Sequence, residues 1–80
     1  MPDFLLHHRH SSDECAASFA AWKGFSSPLR GHGALCTCLT GLHGVWWRVE
    51  AGDRYEALAL LPRFVAERTT SIEVREVQIP

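Results

Sequence analysis

The stretch "ALCTCLTGLHGVWWRVEA", residues 34–51, decides how this chain folds. Two apolar runs, 34–40 and 45–51, flank the Gly-Leu-His-Gly step at 41–44, which reads as two strands joined by a tight turn. With a four-residue loop, Thr40 faces Val45, Cys38 faces Trp47, Cys36 faces Val49 and Ala34 faces Ala51. Strand side chains alternate, so these residues share one side of the sheet, the more apolar one. The other side carries Leu35 beside Glu50, Thr37 beside Arg48 and Leu39 beside Trp46. An odd loop would change the parity, exposing the cysteines or burying the Arg48–Glu50 stripe.

Outward from the hairpin, "DFLLHHRH" (3–10) reads as a first strand with Phe4, Leu6 and His8 on one face and Leu5, His7 and Arg9 on the other. Ser11 followed by Glu14 predicts a capping box. Cys15, Ala16, Phe19, Ala20 and Trp22 then recur at helical spacing over 12–23, with Gly24 as terminator. Residues 25–33 read as a loop. Asp53 and Glu56 repeat the capping device ahead of a second helix, running through "YEALALL" into "PRFVAERT" with a kink or tighter turn at Pro62. "SIEVREVQIP" (71–80) reads as the last strand. Its apolar residues change parity between Ile72/Val74 and Val77/Ile79, so a bulge or a departing tail is expected near Arg75 and Glu76.

The order β-α-β-β-α-β, with a faint repeat at an offset of 42 (Ser11 and Glu14 matching Asp53 and Glu56), predicts one α+β domain over 1–80. The expected architecture is ferredoxin-like, a four-stranded antiparallel sheet in the order 4-1-3-2 with two helices on one face.

Net charge is −1 and Lys23 is the single lysine, so no basic face for nucleic acid is expected. No apolar run is long enough for a membrane span, and "MPDFLLHHRH" has no basic start of the secretory kind. Three cysteines form an odd, small set, which points to free thiols in a reducing, cytoplasmic setting. No motif calls for a cofactor.

Cys36 and Cys38 read first as small core residues beside a large indole. Residues two apart on a strand have Cα atoms about 6.7 Å apart, and a zinc knuckle spaces its cysteines more widely. His8 and His10 share a strand face and suit a divalent transition metal. In the order 4-1-3-2 their strand lies two places, about 10 Å, from that of Cys36 and Cys38, so a metal site would instead use His8 and His10 with Cys15. His43, in the turn, is poorly placed to pair with an inward Cys38 in catalysis.

The outward face combines Leu5, Leu35, Leu39 and Trp46 with His7, Arg9, Arg48 and Glu50. An exposed tryptophan among leucines predicts a homodimer through this face. A cavity between the two sheets would bind a small polar or anionic molecule through His7, Arg9, Trp46, Arg48 and Glu50. His7 would suit acid–base work there, but no catalytic set is defined. The competing expectations are the metal-binding protein just described and an interaction module without ligand, its charges forming only a structural network.

The C-terminal stretch "YEALALLPRFVAERTTSIEVREVQIP" resembles the helix–Pro–strand ending of muconolactone-isomerase-like members of the dimeric α+β barrel superfamily. The likeness covers about the last third of the chain, and the remainder matches in order of elements. It implies a dimer with a sheet-lined cavity. That superfamily includes isomerases, cofactor-free monooxygenases and metal binders, so it implies no particular chemistry.

Overall fold

A computed structural model describes all 80 residues. Its strands are β1 (Asp3–Arg9), β2 (Leu35–Cys36), β3 (Gly44–Glu50) and β4 (Thr69–Val74), and its helices are α1 (Cys15–Ala20), α2 (Arg54–Leu58) and α3 (Arg63–Ala66). They form an α+β fold around one four-stranded antiparallel sheet in the order β2-β3-β1-β4. Counted from the β4 edge, the same neighbours read 4-1-3-2.

Alternation on β1 follows the sequence: Phe4, Leu6 and His8 are buried, while Leu5 and His7 are half-buried and Arg9 is exposed. Phe4 and Leu6 meet Val49 and Ala51 from the β3 end and Ala57, Leu61 and Val65 from the helical side, which makes the core. Ser18 of α1 reaches the same side, beside His8 and Val65.

The hairpin differs from expectation. Cys36 pairs with Val45 and Leu35 with Trp46, so eight residues, Thr37–Gly44, lie between the first paired residues rather than the four of 41–44. Thr37 is the cause. Its hydroxyl donates to the Leu42 carbonyl at 2.7 Å and accepts the Gly44 N–H at 3.0 Å. Its carbonyl takes the N–H groups of Thr40 and Leu42. Residues Cys38–Thr40 thereby close into a 3₁₀ turn that ends at Gly41, left-handed with φ 92°.

The register moves by four residues, an even number, so face parity survives: Cys36 stays with Val45 and Leu35 with Trp46. Burial does not follow. With β2 only two residues long at the sheet edge, Cys36 is exposed, Cys38 is half-buried in the turn, and Leu39 stands fully in solvent. The expectation that both cysteines fill the core is overturned.

The remaining departures are local. The expected helix over 12–23 is a 3₁₀ turn, Ser12–Glu14, leading into the six-residue α1, and Gly24 stops the chain at φ 74°. Phe19, placed on its apolar stripe, is half exposed. The expected second helix is broken: α2 stops at Leu58, and Pro62, extended at ψ 150°, stands at the N-terminal cap position of a separate α3. Strand β4 begins two residues early and stops at Val74, and the tail leaves the sheet. Ile72 pairs with Leu5 and so faces outward.

Candidate metal centre

The sheet's register brings two separate segments together at one corner. Arg9 pairs with Gly44 as β1 ends and β3 begins, and one step beyond, the His10 N–H donates to the His43 carbonyl at 3.1 Å. His10 is followed by the capping turn, in which Glu14 takes the Ser11 N–H at 3.0 Å and Cys15 opens α1. Arg68 clamps that turn, donating to Glu14 at 2.9 Å. The Ser11 N–H first, and then Arg68, hold the Glu14 carboxyl below its ordinary value. On the other side, the Thr37 turn carries Cys38 at its start and His43 at its end.

His10, Cys15, Cys38 and His43 each offer a ligand atom, and these atoms all lie within 4.8 Å of one another. The anticipated separation of about 10 Å between the cysteine strand and the histidine strand is therefore bypassed. Cys38 has left the β2 ladder, and past Gly44 no strand stands between the turn and His10.

Of the expected metal set, His10 and Cys15 are in the cluster and His8 is behind it. His8 Nδ1 lies 3.2 Å from the Val65 carbonyl, which can only accept, so Nδ1 carries the hydrogen. Burial pushes the His8 pKa down, more than the Val65 bond raises it, and the ring is neutral. Its Nε2 then accepts from His10 Nδ1 at 2.8 Å. That leaves His10 Nε2 with a free electron pair, 3.5 Å from the Cys38 sulfur. This is the arrangement that orients and tunes a ligating imidazole. Burial, and secondarily His43, lower the His10 pKa too.

His43 Nδ1 is buried without a hydrogen-bond partner. Burial first, then the neighbouring Cys36 and Cys15 thiols, push the Cys38 thiol up to about 12. A cation would reverse this, because a coordinating thiol is deprotonated.

Acid should weaken the fold through the same histidines. An unfolded His8 takes a proton near its ordinary 6.5, while the folded ring resists it. The unfolded chain binds more protons below that value, so stability is present above about pH 6.5 and falls on acidification. Urea midpoints of chelator-treated protein should drop between pH 7 and 5, and a flat profile would contradict the buried neutral ring.

The outer-face residues do not all converge. His7 stacks on Trp46 at 4.5 Å and 9°, and both border a hollow with Arg9. Arg48 is engaged elsewhere, at 2.6 Å from Asp3 and 3.4 Å from Glu76. Glu50 sits at the far end of β3, opposite Asp3.

Sequence reasoning missed Cys38 and His43 as ligands. A signal existed: His10-x₄-Cys15 and Cys38-x₄-His43 are two half-sites of equal spacing in mirrored order. No helix is long and apolar enough to cross a membrane. The chain matches no protein family, no curated protein and no solved structure, so every residue role here rests on its own geometry.

Proposed function

We propose that this protein is a small transition-metal-binding domain that holds one Zn²⁺ through His10, Cys15, Cys38 and His43. The observation that carries the proposal is the convergence of the four ligand atoms within 4.8 Å. Two thiolates and two imidazoles are a zinc donor set, and four protein ligands fill a tetrahedral sphere. A closed sphere favours binding and stabilisation over hydrolysis, which needs an open position. The ion would tie the β1–α1 junction to the Thr37 turn, two segments otherwise joined by few bonds.

We read the strand connectivity as ferredoxin-like, with β2 cut short by the turn that carries two of the ligands. Leu35 and Ile72, both exposed on the outer face, keep the homodimer as a separate proposal that light scattering at increasing protein concentration decides.

Titration of chelator-stripped protein with Zn²⁺ tests the function. One equivalent should bind, raise the thermal midpoint, and protect Cys15 and Cys38, but not Cys36, from alkylation. Three equally reactive thiols at one equivalent of zinc would refute it. His8→Ala should weaken zinc about 10–100-fold while keeping the one-to-one stoichiometry, because His8 orients a ligand rather than being one. Unchanged affinity would remove His8 from the site.

A further inference from the structure

Beside the metal corner, on the outer side of the sheet, lies an open hollow of about 410 Å³. His7, Arg9, Trp46, His10 and His43 border it, and no carboxylate does. Arg9 is the one arginine that borders this hollow, and like Arg30, Arg54 and Arg75 it is free of ion pairs. Arg48 pairs with Asp3 and Glu76, Arg63 with Glu67, and Arg68 with Glu14, whereas Arg9 makes no ion pair. An unpaired guanidinium at the edge of a hollow without carboxylates is a recognition element for oxygen anions.

The wall is held in place before any ligand arrives. The His7 ring lies flat against the Trp46 indole. That indole in turn lies so close over Gly44 that a Cβ there would meet its ring at 2.8 Å. Glycine at 44 is thus what lets the indole settle, and the settled indole aims His7 into the hollow.

We infer that this hollow binds a small oxyanion, sulfate-, phosphate- or carboxylate-like, through Arg9 and His7 at the flank of the metal centre. One contribution rests on the zinc reading: coordination of His43 through one ring nitrogen keeps a hydrogen on the other, adding a donor to the lining. Arg9 and His7 lie outside the ligand set and act whether or not an ion is held. Zn²⁺ with two thiolates is formally neutral, so the attraction comes from Arg9 rather than from the ion.

The test is a titration of isotope-labelled, zinc-loaded full-length protein with sodium sulfate at constant ionic strength, followed by amide and indole chemical shifts. A parallel titration uses acetate. Saturable shifts should centre on Arg9, Gly41, Gly44 and the Trp46 indole. Arg9→Gln should weaken binding at least about tenfold, the loss expected for a charge-assisted contact, while Lys23→Gln leaves it unchanged. Tighter sulfate than acetate identifies a tetrahedral dianion site, and the reverse a carboxylate site. Shifts that scatter over the surface, or that persist in Arg9→Gln, overturn the inference and leave the metal centre standing. Protein that takes up no zinc yet binds sulfate through Arg9 upholds the inference and overturns the metal reading. His7→Ala supplies a second variant that should also weaken sulfate binding, and unchanged affinity in it likewise overturns the inference.

Discussion

Cys38→Ser is expected to cut zinc affinity by at least about a hundredfold, while Cys36→Ser changes it by less than about threefold. Structural zinc sites bind with about 10–16 kcal/mol shared over four ligands, so one ligand is worth about 3 kcal/mol, or two decades. Serine keeps the volume but cannot offer a thiolate at neutral pH. The contrast is informative because the two cysteines are near neighbours: the Cys36 sulfur accepts the Cys38 N–H at 3.3 Å, yet Cys36 is not in the converging set. Competition against a chromophoric chelator gives both affinities. Equal losses in the two variants would mean that the ion is held by a thiol cluster rather than by the two histidine–cysteine halves. Loss in neither would place the ion elsewhere.

Leu6→Ala is expected to destabilise the domain by about 2–5 kcal/mol, a large part of the roughly 4–12 kcal/mol available to a chain of this length. Leu6 is completely buried at the centre of β1, among residues drawn from the neighbouring strand and both helices behind it. Leu39→Ala should stay within about 0.5 kcal/mol, because that side chain is fully exposed on the Thr37 turn. Urea unfolding of both variants, each with and without zinc, measures the difference. A Leu39 loss comparable with that of Leu6 would show that the turn packs against something.

Much of this architecture was legible because its causes are local. The alternation of Phe4, Leu6 and His8 against Leu5, His7 and Arg9 follows from the two-residue period of a strand, whatever lies alongside. The Ser11–Glu14 cap, the stop at Gly24 and the break at Pro62 each depend on a few neighbouring bonds. The change of parity after Val74 announced either a bulge or a departing tail, and the strand does end at Val74. The hairpin was harder, because Gly41 and Gly44 mark a turn without saying how far it opens. The hydroxyl of Thr37 decides that, by taking the Gly44 N–H and donating to the Leu42 carbonyl, and a threonine in an apolar run looks like a strand residue.

What the sequence by itself determined, then, is the order of strands and helices, the inward face of β1 and the presence of histidines and thiols capable of holding a metal ion. The tertiary structure alone decided which of them meet. His10 and His43 are 33 positions apart, and they are neighbours because antiparallel pairing of β1 with β3 ends on Arg9 and Gly44. Cys38 joins them because the turn lifts it off its strand, and His8 is drawn behind them by the carbonyl of Val65. Spacing along the chain measures each half-site, but only the register of the sheet brings the halves together.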